Sequence, residues 1–169
     1  MSRAFVIMGA SGCGKSTLGR ALADALGSPF VEGDTLHPAA NTARMAAGVP
    51  LNDADRRPFL EHVAGVIAAR GCAGIVVSCS ALKRSYRDLI RAQAGKVTFV
   101  LPEVPREVLF SRLARRRNHF MPASLLDSQL ATLERPEPSE QAISLDGTAT
   151  TDAQVAQVLA ALRDPGNPK

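Results

Sequence analysis

The sequence contains no tryptophan and one tyrosine, and aromatic residues make up only 4% of its 169 positions. Stacking platforms for single-stranded nucleic acid are therefore scarce. Its three cysteines, Cys13, Cys72 and Cys79, show neither CxxC nor Cys/His ligand spacing. An odd count without a secretory leader points to reduced thiols and a cytoplasmic protein rather than a disulfide framework. No apolar run approaches the roughly 20 residues needed to span a bilayer, which excludes a membrane segment. The apolar stretch after Met1-Ser2-Arg3 meets Gly9 without a small-residue cleavage site, so it reads as a strand and not as a signal peptide. A large excess of one charge is also missing: the net charge is +4, and the segment Arg106–Arg117 accounts for it, with five arginines against Glu107 alone. The remaining balance argues against a nucleic-acid stripe. A short arginine cluster suits a small, highly charged anion such as a nucleoside triphosphate.

What is present is an ordinary globular composition, 46% apolar and 21% charged, in a chain long enough for one domain. That domain is expected over residues 1–164, with a frayed tail at 165–169. Ala4-Phe5-Val6-Ile7-Met8 is continuously apolar, as a parallel strand covered on both faces requires. Further strands are predicted at 30–32, 74–78, 97–101 and, more weakly, 142–145. Helices are predicted at 15–26, 53–70, 83–91, 106–116, 124–133 and 151–163 from apolar residues at helical spacing. Ser124 with Asp127 and Thr151 with Gln154 have capping-box spacing. Strands alternating with helices imply α/β architecture, with a central five-stranded parallel sheet flanked by helices. Ligands of such sheets sit beyond the carboxyl ends of the strands. That rule selects the segments 9–16, 32–37 and 78–83.

Gly9-Ala10-Ser11-Gly12-Cys13-Gly14-Lys15-Ser16, followed by Thr17, matches G-x-x-x-x-G-K-[ST] between a strand and a helix. The glycines let backbone N–H groups wrap phosphates, and the helix N-terminus adds its dipole. Lys15 is the candidate for the β- and γ-phosphates and Ser16 for Mg²⁺, which makes ATP and Mg²⁺ the expected cofactors. Cys13, at an "x" position, contributes backbone only. In Glu32-Gly33-Asp34, a carboxylate can accept a proton from an attacking hydroxyl or hold a magnesium-bound water. His37 follows, as either a packing or a binding residue. Lys83 and Arg87, four apart, are expected on one helix face as two cations for a substrate carboxylate. Arg112 and Arg116, also four apart, lie in a helix–loop–helix over about 112–130 that reads as a lid closing over the triphosphate.

These segments together resemble the gluconate kinases, small P-loop kinases related to shikimate and adenylate kinases. The resemblance rests on GASGCGKST at 9–17, EGDTLHPAAN at 32–41, MAAGVPLNDADRRPFL at 45–60, CSALKRSYRDLIR at 79–91 and RLARRRNHFMPASLLDSQLATLE at 112–134. It implies a P-loop NTPase fold of the nucleoside-monophosphate-kinase type with a helical lid. It implies phosphorylation of D-gluconate at the 6-hydroxyl by ATP, in gluconate catabolism. Lys15, Asp34, Arg112 and Arg116 would be catalytic, and Gly9, Ser11, Gly12, Cys13, Gly14, Lys15, Ser16 and Thr17 would bind the nucleotide. Asp34, His37, Arg56, Lys83, Arg87 and His119 would meet the sugar acid, while Ser16, and Glu32 through water, would serve the metal. A homodimer is expected by the same analogy. Asn118 stands where the family pattern has glycine before His119-Phe120, and the segment after Leu145 matches nothing in that pattern. A shikimate-kinase-like enzyme fits less well, because Cys79-Ser80-Ala81-Leu82-Lys83 replaces a glycine-rich turn. A GTPase is disfavoured because no Asn-Lys-x-Asp motif occurs. A non-catalytic nucleotide-binding module would have no need of Asp34 or the lid arginines.

Overall fold

The apolar runs become the strands of one parallel sheet. The computed structural model describes residues 4–70, 73–115 and 123–163. Its elements are β1 (Ala4–Ile7), α1 (Lys15–Leu26), β2 (Phe30–Glu32), a 3-10 turn (Gly33–Leu36), α2 (Ala39–Ala46), α3 (Asp53–Arg70) and β3 (Ile75–Ser78). They continue with α4 (Arg84–Ala94), β4 (Val97–Glu103), α5 (Arg106–Ala114), α6 (Ala123–Thr132), a 3-10 turn (Pro138–Glu140), β5 (Ile143–Asp146) and α7 (Thr151–Arg163). The strand order is β2-β3-β1-β4-β5, with every pairing parallel.

Side-chain alternation divides the core into two layers. Val6 and Met8 point with Val77 and Phe99 toward α3 and α4, where Leu60, Val63 and Ile90 meet them. Phe5 and Ile7 point the other way, onto Leu18 and Leu22 of α1 and Val158 of α7. Fully burying such side chains contributes about 1.5–3 kcal/mol each. A third, smaller cluster joins Ala10 and Cys13 of the glycine-rich loop to Leu109, Leu113 and Leu126. It fixes that loop against α5 and α6.

Register sets the position of the site. Ile7 pairs with Ser78 and with Val100, and Glu32 pairs with Ser78. The carboxyl ends of β1, β2 and β3 therefore finish level, which places Gly9, Gly33 and Cys79 side by side. Gly33 is obligatory there: a Cβ would lie 1.8 Å from the Ser78 carbonyl oxygen.

Three expectations need correction. α2 gave no periodic signal, because residues 42–47 are all exposed; Pro38 opens it and the turn at Gly48, at φ +71°, follows it. Asp127 does not cap α6 but makes a bidentate pair with Arg106 of α5 at 2.6 and 3.0 Å. At α7 the cap is one residue earlier than predicted, with Thr150 Oγ1 accepting the Ala153 N–H at 3.3 Å. The tail at 165–169 lies outside the described residues.

The largest correction concerns Arg87. Its side chain is 0% exposed and so cannot meet a substrate from solvent. It donates from Nε and Nη2 to Glu140 at 2.6 and 2.8 Å. Its Nη1 donates to the carbonyls of Ala81 and Leu82 at 3.1 and 3.2 Å. Glu140, also buried, accepts from Arg91 at 3.2 Å. The Arg87 hydrogen bonds hold its carboxyl at about 2, against an ordinary 4.5. Removing one member of a buried pair strands the other charge, so Arg87→Met is expected to destabilise the fold by about 3–5 kcal/mol. The double variant Arg87→Met/Glu140→Leu should lose less. A depressed carboxylate pKa contributes stability that is complete above the unfolded value and lost as pH falls through the folded one. Thermal denaturation should therefore show a decline between about pH 4.5 and 2 that Glu140→Gln lacks.

Candidate active site

The loop after β1 turns three times through left-handed backbone, at Gly9 (φ +121°), Gly12 (φ +86°) and Gly14 (φ +94°). Only glycine adopts these angles without strain. A Cβ on Gly9 would also strike the Cys13 Sγ at 2.9 Å. Cys13 is buried with its Sγ toward the Met8 carbonyl at 3.7 Å, so its side chain packs while its backbone faces the loop. Gly14 is the N-cap of α1 and supplies no side-chain cap. The first N–H groups of α1 are thus directed at an anion site. Lys15 Nζ lies across the loop, donating to the carbonyls of Gly9 and Ala10 at 3.1 and 3.0 Å. Ser16 is half-buried and Thr17 exposed on the first turn of the helix.

Beside this loop is a cleft of about 270 Å³ lined by Gly12, Gly14, Thr17, Arg112, Gly147 and Ala149. Arg112 forms its wall, donating to the Gly12 carbonyl at 3.3 Å and the Gly147 carbonyl at 3.0 Å. Gly147 and Ala149, beyond the end of β5, were missed from sequence. The rule that ligands gather at strand carboxyl ends, applied to β5, would have found them. Arg116 and His119 lie outside the described residues.

On the other side of the loop, the 3-10 turn presents Asp34. Its carboxylate makes no hydrogen bond or ion pair among the described residues, nor does the Arg56 guanidinium of α3. Glu32 differs: its carboxylate accepts from the Ser78 hydroxyl and lies 3.8 Å from Arg20. His37 stacks on Phe59, with ring centroids 3.7 Å apart and planes inclined by 11°. Burial lowers its pKa from 6.5, with Asp34 pulling upward and Arg56 pushing downward, so the ring is neutral at pH 7. Asn41, another residue missed from sequence, donates to the Asp55 carbonyl at 2.7 Å and sits 3.5 Å from His37 Nδ1. It joins α2 to α3 behind the ring.

Lys83 does not share a helix face with Arg87. It is the extended N-cap of α4, at φ −92° and ψ 149°. Its ammonium donates to both Asp53 oxygens at 2.9 Å. The Tyr86 hydroxyl and then Lys83 hold the Asp53 carboxyl below its ordinary range, and Asp53 raises Lys83 in turn. Asp53 thus ties α3 to the 79–83 loop.

Burial pushes the buried Cys79 thiol up to about 12. At this edge of the sheet the glycine-rich loop carries Lys15, the turn after β2 carries an unpaired Asp34, and the first turn of α3 carries an unpaired Arg56. That arrangement can align a hydroxyl of an anionic substrate against a phosphoryl group. Among the described residues no cluster of three or more His, Cys, Asp or Glu side chains could cage a metal. The donor set fits Mg²⁺ held by one hydroxyl and by phosphate oxygens, the usual mode for that ion. Ser16 would be the protein ligand; Glu32, the carboxylate expected to serve its water shell, is engaged by Ser78 and Arg20. No helix among the described residues is long and apolar enough to cross a membrane.

Comparison with known proteins gives the family. The AAA domain family model matches residues 5–136. A gluconokinase from Gluconobacter oxydans is 45% identical over 159 residues, which is 93% of this chain and 89% of that protein. The crystal structure of a gluconokinase from Sinorhizobium meliloti superposes with a TM-score of 0.86 at 45% identity, covering 95% and 91% of the two chains. A shikimate kinase from Aquifex aeolicus, at TM-score 0.62 and 17% identity over 96% and 99%, shares the fold alone. The five-stranded parallel sheet, the phosphate loop and this extent of identity place the chain in the AAA-domain group of P-loop proteins and, within it, in the gluconokinase family.

Proposed function

We infer that this chain phosphorylates D-gluconate at its 6-hydroxyl, using ATP and Mg²⁺, and releases 6-phosphogluconate and ADP. The observation that carries this reading is an Asp34 carboxylate and an Arg56 guanidinium left without side-chain partners among the described residues, beside the glycine-rich loop that holds Lys15. MgATP, when bound, supplies the phosphoryl group and a divalent charge on its β- and γ-oxygens. The loop amides and the α1 N-terminus hold the phosphates, and Lys15 stabilises charge on the transferring group. Asp34 accepts a hydrogen bond from the 6-hydroxyl and takes its proton as oxygen bonds to phosphorus and the bond to ADP breaks. Arg56 pairs with the gluconate carboxylate, and neutral His37 hydrogen-bonds a hydroxyl. The cleft between Arg112 and Ala149 takes the nucleoside. Arg116 and His119 belong to the lid in this reading, with 112–130 as the closing unit. A cytoplasmic homodimer is the accompanying proposal, drawn from the family.

The direct test is ADP release with a panel of sugar acids. Gluconate should stimulate turnover, and its uncharged analogue glucose should not. Equal ADP release with and without gluconate would remove the assignment.

Three substitutions examine the roles. Lys15→Ala should lower kcat on the order of 10²-fold or more while leaving the thermal midpoint near the wild-type value. Asp34→Asn should lower kcat roughly 10²–10⁴-fold, the range for a positioned acid–base group. MgATP binding should stay near wild type if Asp34 serves the hydroxyl, and should weaken with a changed Mg²⁺ dependence if it serves the metal's water. Arg112→Lys keeps the charge but cannot span two carbonyls, so kcat/KM for MgATP should fall on the order of tenfold. Arg106→Lys, at a residue that does not line the cleft and can keep its ion pair with Asp127, should be nearly silent in the same steady-state assay.

A further inference from the structure

Helix α6 and its exit touch both halves of the site. Leu126 is fully buried and Leu130 partly so, both against the Ala10 and Cys13 cluster under the phosphate loop. On the same helix, Gln129 Oε1 accepts the backbone N–H of Ser11 at 2.8 Å. The donor is an amide hydrogen, so the atom facing it is the side-chain oxygen, which settles the orientation of the amide.

Five residues on, Glu134 grips the neighbouring loop from two sides. Its own N–H donates to the Leu82 carbonyl at 2.8 Å. Its Oε2 accepts the Arg84 N–H at 2.6 Å. Leu82 and Arg84 flank Lys83, and the Ser80 carbonyl two residues earlier accepts the Gly9 N–H at 3.0 Å. Ala81 between them holds a left-handed φ of +41°, a conformation costly for alanine unless its surroundings impose it. One short stretch, 126–134, thus connects the phosphate loop and the acceptor-side loop through separate contacts.

We propose that Gln129 and Glu134 are positioning residues: they set the spacing and mutual orientation of the phosphate loop and the 79–84 loop, so that α6 braces the geometry for transfer. The proposal rests on the phosphoryl-transfer reading above. It concerns alignment: Gln129 takes one loop amide, that of Ser11, and leaves those of Gly12 and of Gly14 to Ser16 for the phosphates, while neither side chain lines the cleft beside Arg112. A misplacement of about 1 Å is enough to cost on the order of 10²-fold in rate.

The test measures kcat, KM for MgATP and KM for gluconate in Gln129→Met, Gln129→Asn, Glu134→Leu and Glu134→Gln, together with amide hydrogen exchange at Ser11. Gln129→Met removes the acceptor at nearly constant shape, and Gln129→Asn keeps a polar group that falls short. Both Gln129 variants and Glu134→Leu should lose roughly 10–100-fold in kcat with each KM within about threefold. Glu134→Gln, which keeps an acceptor oxygen, should recover most of the rate. Ser11 should exchange at least about tenfold faster in the Gln129 variants. An unchanged kcat in folded variants, even with a lower thermal midpoint, would reduce both residues to structural roles and overturn the proposal. A rise in KM for MgATP alone would make Gln129 a nucleotide ligand instead. If Gln129→Met does not fold, Gln129→Asn decides by the same readouts. If the wild type shows no gluconate-dependent turnover, the substrate reading fails by itself, and an unchanged Ser11 exchange rate in Gln129→Asn would separately overturn the brace.

Discussion

The buried pair between Arg87 and Glu140 is the constraint on which the acceptor side depends. Bringing a guanidinium and a carboxylate into the interior is unfavourable unless nearly every donor and acceptor is matched. Here four Arg87 hydrogen bonds reach Glu140, Ala81 and Leu82, and Arg91 adds two more to Glu140, one to its carboxylate and one to its backbone carbonyl. The matching imposes a shape. The Ala81 and Leu82 carbonyls must point inward at Arg87, which holds Ala81 in left-handed backbone. The Ser80 carbonyl is left facing the phosphate loop. A salt bridge between residues 53 positions apart thereby fixes the geometry of a loop that neither partner belongs to.

Pairing also sorts the remaining charges. Glu32 is engaged by Ser78 and Arg20, Lys83 by Asp53, and Arg106 by Asp127. These contacts join strand to helix and helix to helix, and the exposed ones add little energy. Asp34 and Arg56 have no side-chain partner among the described residues, and unlike other unpaired charges such as Asp24 and Asp152 both act electrostatically on His37 beside the phosphate loop. Unsatisfied opposite charges at the edge of a phosphate-binding loop are disposed to meet a ligand that carries both a hydroxyl and a carboxylate. A sugar acid has that chemistry.

Much of this was legible in the sequence, and the exceptions have physical causes. β1 and β3 are doubly covered strands, so their apolar runs read directly, and the phosphate loop is a local motif whose glycines do local work. Asp34 followed from the strand-end rule, whereas Arg56, in the first turn of α3, was found only through the family resemblance. Arg87 was misplaced because the four-residue spacing to Lys83 assumes that both lie in one helix, whereas Lys83 is an extended cap. Its true partner, Glu140, lies in a 3-10 turn after α6 and leaves no local trace. Gln129 reads as an ordinary polar helical residue until α6 is laid against the phosphate loop. α2 is only 8 residues long and buries Asn41 alone, too short a run to show a helical period.

The account's central claim is that the sheet's carboxyl edge aligns one particular hydroxyl of a sugar acid with a phosphoryl donor. The most direct measurement is a ³¹P–¹H correlation spectrum of the product formed from ATP and gluconate. A single phosphomonoester is expected, its phosphorus coupled to the two protons on carbon 6. Coupling to the lone proton of a secondary carbon along the chain, or no new phosphomonoester at all, would contradict that alignment.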